Sequence, residues 1–151
     1  LIWTLGDHDF LQGKAHVGFA APFPGTIIPM TLINFGGQII CQKDSFLCAA
    51  KGVSIGIHFR KKILTELFGG AGFIMQKLED DGMVFIHAGG TILERELAAG
   101  ETLQVDTGCL VALTHSIEYD VQKVGNIKSM LFGGVGVFFA HLQGPGKVWL
   151  Q

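Results

Sequence analysis

Leu67-Phe68-Gly69-Gly70-Ala71-Gly72 and Leu131-Phe132-Gly133-Gly134-Val135-Gly136 are one segment written twice, 64 residues apart. The likeness continues beyond the glycines. Across 67–86 and 131–150, eight of twenty positions are identical, including Leu78 with Leu142, Gly82 with Gly146 and Val84 with Val148. Upstream, Val53-Ser54-Ile55-Gly56-Ile57-His58 lies over Ile117-Glu118-Tyr119-Asp120-Val121-Gln122 at the same offset, apolar residues alternating in both. Gly25-Thr26-Ile27-Ile28 matches Gly90-Thr91-Ile92-Leu93 at an offset of 65. Self-similarity at a fixed period is the signature of repeated supersecondary units, which bury their apolar faces by stacking. The chain therefore divides into a unit over 25–89, a second over 90–151, and a segment 1–24 that reads as the tail of a preceding unit. Together they form one domain.

The repeat also decides secondary structure. Alternation from Val53 to Phe59 puts Val53, Ile55, Ile57 and Phe59 on one face of a strand. Thr102-Leu103-Gln104-Val105-Asp106 alternates likewise, and Cys109 to Leu113 reads as a buried run. Leu93-Glu94-Arg95-Glu96-Leu97-Ala98-Ala99 alone would read as a helix, since its residues are good helix formers. Its counterpart in the first unit holds Pro29, and a backbone common to both units makes it an edge strand. Arg60 to Phe68 is the one stretch with a short helical stripe; Gly125 in its counterpart reduces it to a loop or a single turn. Short strands separated by turns every few residues predict an all-β fold, built of tandem double-stranded β-helix or jelly-roll-like modules.

Composition narrows the class. Twenty-two glycines in 151 residues is about double the usual share, and 16% charged residues is well below the usual ~25%. An apolar content of 48% and a mean hydropathy of +0.42 exclude disorder. A net charge of -2 gives no footprint for duplex DNA or anionic membrane. The longest nearly apolar stretch, Leu131 to Leu142, contains three glycines and a histidine and is too short for a membrane helix, which needs about 20 residues. The chain opens on Leu1 without a signal-peptide pattern, so the N-terminal part of the protein is expected to precede it. Cys41, Cys48 and Cys109, an odd set with no CxxC, suit a reducing compartment: cytoplasm, or mitochondrion in a eukaryote. Sparse charge on stacking β-modules predicts a homo-oligomer.

No residue pattern carries catalysis. The glycine segments lack the following Lys-Ser or Lys-Thr of a phosphate loop, and their recurrence at equivalent places fits turns better than a nucleotide site. Histidines 8, 16, 58, 87, 115 and 141 invite a cupin-like metal centre, but no HxH pair exists; His87 and His115 are the best single candidates and read as structural. Ser45 and Cys109 occupy equivalent positions at the start of a buried run, which suits small packing residues rather than nucleophiles. Asp80-Asp81 reads as a turn, and Glu94-Arg95-Glu96 as a solvated edge with both glutamates on one face. Arg60-Lys61-Lys62 beside Phe59 is the one basic run, thin support for RNA binding. Phe85 and Trp149 fill equivalent core or interface positions. No catalytic, cofactor or metal residue is assigned.

With these segments in view, the chain resembles the altered-inheritance-of-mitochondria family of uncharacterised β-proteins. The likeness rests on Ala21-Pro22-Phe23-Pro24-Gly25, Cys41-Gln42-Lys43-Asp44-Ser45-Phe46-Leu47, Val105-Asp106-Thr107-Gly108, both glycine segments and Gly144-Pro145-Gly146-Lys147-Val148-Trp149-Leu150-Gln151. The resemblance implies a fold similar to the tryptophan-activated RNA-binding attenuation protein, with short double-stranded β-helix modules assembled as rings, here a trimer. By that analogy RNA is a second candidate partner. The family brings no established catalytic residues. Its mitochondrial members are associated with inner-membrane organisation.

Overall fold

A computed structural model describes residues 18–61, 72–124 and 137–151 of the chain. Both leucine-phenylalanine-glycine-glycine segments fall outside these residues, as do His8 and His16. Gly72, the last glycine of the first segment, is described and has φ 81°, the left-handed region that glycine enters without a Cβ penalty.

The described residues form twelve strands and two short 3₁₀ turns: β1 (Thr26–Thr31), β2 (Gln38–Gln42), β3 (Phe46–Ala49), β4 (Ser54–Lys61), β5 (Phe73–Glu79), β6 (Met83–Ala88), β7 (Leu93–Leu97), β8 (Thr102–Asp106), β9 (Leu110–Thr114), β10 (Glu118–Val124), β11 (Val137–Gln143) and β12 (Gly146–Leu150), with 3₁₀ turns at Leu32–Phe35 and Lys43–Ser45. The fold is all-β, with antiparallel pairing throughout. A six-stranded sheet runs β4-β5-β2-β9-β12-β7, and two three-stranded sheets run β1-β6-β3 and β10-β11-β8.

The three sheets are layers, as the cores show. On β2, Ile39 and Cys41 enter one cluster with Met30, Val84 and Ile86 of the β1-β6-β3 sheet. Ile40, pointing the other way, joins Val121, Ala140 and Leu142 of the β10-β11-β8 sheet. The six-stranded sheet is thus the middle of a sandwich buried on both faces at its centre, which is why β2 (QIICQ) and β9 (LVALT) read as continuous apolar runs.

Strand bounds and registers recur along the chain. In β1–β6, Pro29 faces Phe85 and Met30 faces Val84; in β7–β12, Glu94 faces Trp149 and Arg95 faces Val148. In β3–β6, Cys48 faces Phe85 and Ala49 faces Val84, with a bulge after Phe46; in β9–β12, Ala112 faces Trp149 and Leu113 faces Val148, with the matching bulge after Leu110. Gln38 faces Glu79 as Thr102 faces Gln143. One junction joins the two sets of strands: Ile39, Ile40 and Cys41 of β2 face Thr114, Leu113 and Ala112 of β9.

Three expectations need correction. First, a bulge between Ile57 and Phe59 breaks the alternation of β4. Val53 and Ile55 pack against the cluster of Ile39, Phe59 is turned to the opposite cluster beside Phe73 and Tyr119, and Ile57 is left 65% exposed. A bulge inserts one extra residue and so reverses the facing of everything after it. Second, Arg60 and Lys61 belong to β4 rather than to a helical turn; Lys62 to Phe68 lie outside the described residues. Third, Cys109 is exposed in the turn before β9, while Ser45 is buried, so the shared packing role holds only for the serine. Leu93 to Leu97 forms an edge strand, and Asp80 lies in a turn at φ 116°.

Candidate functional site

The outer faces of the two three-stranded sheets differ in chemistry. On the β10-β11-β8 sheet, cross-strand registers line up Asp120, His141 and Gln104 in one row and Glu118, Gln143 and Thr102 in the next. Alternation sends Tyr119, Leu142 and Leu103 to the core. The rows floor a shallow cavity of about 470 Å³. The N–H of Val121 and the nearby Lys61 ammonium hold the Asp120 carboxyl below its ordinary range. Lys61 reaches Asp120 at 3.7 Å and also donates to the Val121 carbonyl. Burial pushes the Tyr119 phenol up, and its hydroxyl, like Nε2 of His141, has no hydrogen-bond partner among the described residues.

The outer face of the β1-β6-β3 sheet is apolar. Ile27, Leu47, Cys48, Ala50 and Phe85, with Phe19 at the rim, line a groove of about 380 Å³ along the free edge of β3. Phe19, Phe23, Ile27 and Met83 are among the exposed large apolar residues of the chain, and all four lie on or beside this sheet. Clustered exposure of this kind marks an interaction surface; scattered single residues would not.

The histidines do not come together as a ligand set. His87 follows Ile86 on β6 and is 3% exposed, covered by the ring of Phe23 at 4.6 Å between centroids. Gly25 crosses so near that a Cβ there would stand 2.4 Å from the His87 Nε2. Neither ring nitrogen of His87 finds a partner among the described residues. His115 is exposed in the turn after β9, His58 is exposed on β4, and His141 sits in the polar row. Among the described residues no group of three or more His, Cys, Asp or Glu could hold a metal ion. Glu94 pairs with Lys147 at 3.4 Å and Arg95 with Glu101 at 2.8 Å, so the β7 edge is a solvated ion-pair surface. Trp149 is buried at 2% exposure against Phe35, whereas Phe85 lines the open groove.

Sequence reasoning missed the groove. Its signal was present in Phe46-Leu47-Cys48-Ala49, which carries neither charge nor proline although it ends as a sheet edge.

With this architecture established, comparison with known proteins is direct. Residues 8–151 match the family described as Mitochondrial biogenesis AIM24. The chain belongs to the AIM24 family. A crystal structure of a Streptococcus pyogenes protein, solved as a structural-genomics target, superposes with a TM-score of 0.71 at 23% identity over 87% of this chain. The match covers 56% of that chain, so this AIM24 chain spans about half the length of the solved structure it resembles. That likeness concerns the fold. No curated protein matches the sequence. Among the described residues no helix is long and apolar enough to cross a membrane.

Proposed function

We propose that this AIM24 chain is a non-catalytic, self-assembling β-scaffold, with 25–89 and 90–151 as two copies of one short double-stranded β-helix module and 1–24 as the tail of another. The carrying observation is the recurrence of registers and bulge positions between β1–β6 and β7–β12. A chain that repeats one strand arrangement and joins the copies edge to edge is built to present surfaces. Its exposed apolar groove supports the same reading. In a eukaryote, the family's description favours a mitochondrial setting over a cytoplasmic one.

RNA binding has no comparable support. Lys61 of the basic run is already paired with Asp120. The test of the scaffold reading is light scattering coupled to gel filtration at tens of micromolar. A discrete mass of three chains is expected, in keeping with a ring of identical subunits. A stable monomer refutes it.

A further inference from the structure

The six free sheet edges are of two kinds. β1, β7, β4 and β10 are edges in both sets of strands, and each is blunted: Pro29 on β1, Glu94-Arg95-Glu96 on β7, Arg60 and Lys61 on β4, Glu118 and Asp120 on β10. Such residues are what natural sheets use to prevent edge-to-edge pairing. β3 and β8 are different. Their counterparts 64 residues away, β9 and β2, pair with each other in the middle of the long sheet. Among the described residues β3 and β8 have one neighbour each. β3 has no charge and no proline. β8 has only Asp106 at its end, and that carboxylate accepts the Gly108 N–H at 2.7 Å.

The groove beside β3 repeats the asymmetry at side-chain level. Its residues Phe85, Leu47, Cys48 and Ile27 correspond to Trp149, Val111, Ala112 and Ile92. The first three of these are buried and the fourth packs against them, in the cluster that β2 and the turn at Leu32–Phe35 supply. One set of positions is covered by the neighbouring strands; the other stands open.

Resting on the two-module reading above, we infer that β8 of one copy of this chain docks on β3 of a second copy and its flanking residues cover the apolar groove. The junction completes a second long sheet, β1-β6-β3 continued by β8-β11-β10 of the partner copy. Transferring the β2–β9 register fixes the alignment: Leu103, Gln104 and Val105 of one copy face Ala50, Ala49 and Cys48 of the other. Leu103 and Val105 lie on the core side of their sheet, as Ile39 and Cys41 do, and so extend their cluster over the groove. Gln104 stands where Ile40 stands, which makes the contact between copies more polar than the one within a chain. Each copy offers one β3 and one β8, so the contact is heterologous and closes into a ring when the rotation permits.

The register itself supplies the test, because residues directly opposite on antiparallel strands have Cβ atoms about 4.5–5.5 Å apart, near disulfide range. Val105→Cys is combined with Cys109→Ser and treated with diamide, which takes the two electrons and two protons of the thiol pair. The expected result is covalent dimers and higher bands that vanish when Cys48→Ser is added. Leu47→Lys, which puts a charge into the groove, is expected to shift the assembly to monomer mass with an unchanged far-UV spectrum. An assembly that neither cross-links at Val105 nor responds to Leu47→Lys overturns this junction and leaves self-assembly standing. A monomer overturns both.

Discussion

Removing the Trp149 side chain is the sharpest probe of how the two sets of strands are joined. Trp149 lies on β12 but is buried against Phe35, at 5.5 Å and an interplanar angle of 82°, in the cluster with Ile39, Cys41, Val111 and Ala112. Trp149→Ala in a packed site costs about 3–5 kcal/mol, of which the edge-to-face aromatic contact contributes ~0.5–1.5 kcal/mol. Against a total stability of about 5–15 kcal/mol this is a large fraction. A domain of this size loses about 2–4 °C of Tm per kcal/mol, so the expected drop is about 6–20 °C. Urea unfolding followed by far-UV circular dichroism measures it as a fall in the midpoint at unchanged slope. Phe85→Ala, in the open groove, is the comparator: at protein concentrations where the chain is dissociated it should cost well under half as much. Equal losses, or a Trp149→Ala cost below about 1 kcal/mol, would refute the claim that one position is covered and its counterpart is not.

Gly146→Ala should destabilise by about 1–3 kcal/mol, because the added Cβ would stand 2.4 Å from Thr114 Oγ1 and 2.7 Å from Ser116 Oγ; thermal melting checks it. Glu101 accepts the Ala98 N–H and the Arg95 guanidinium, each at 2.8 Å, and these contacts hold its carboxyl below the usual range. A folded-state pKa below the unfolded one means stability that is present above the ordinary carboxylate range and lost as pH falls through the depressed value. The melting difference between wild type and Glu101→Gln should therefore be present at pH 7 and disappear on acidification. Iodoacetamide should label exposed Cys109 first and Cys48 more slowly. Cys41, whose thiol burial pushes up to about 12, should react only on unfolding; mass spectrometry of timed samples reads the order.

Much of the fold was legible because it is written twice. A proline in one copy corrected a helix-like run in the other, and Leu93 to Leu97 is an edge strand as a result. What was not legible depends on partners that a local pattern does not contain. Alternation along Val53 to Phe59 assumes a regular ladder, and only the pairing with β5 reveals the bulge that turns Phe59 away. Cys109 and Ser45 occupy matching positions, yet their burial differs. The groove was hidden for the same reason: Phe85 and Trp149 share a position, and what separates them is the neighbouring set of strands lying over one of them.

The pairing of β2 with β9 has a consequence for how the chain comes apart. Both strands sit at the centre of a sheet whose two faces carry different cores, so neither core can open without breaking the ladder that belongs equally to the other. A cut in the link between β6 and β7 would not release two miniature domains; it would leave two fragments, each with a newly bared apolar strand. The duplicated chain is accordingly one cooperative unit, and its slowest-exchanging amides belong on the strands where the two halves meet.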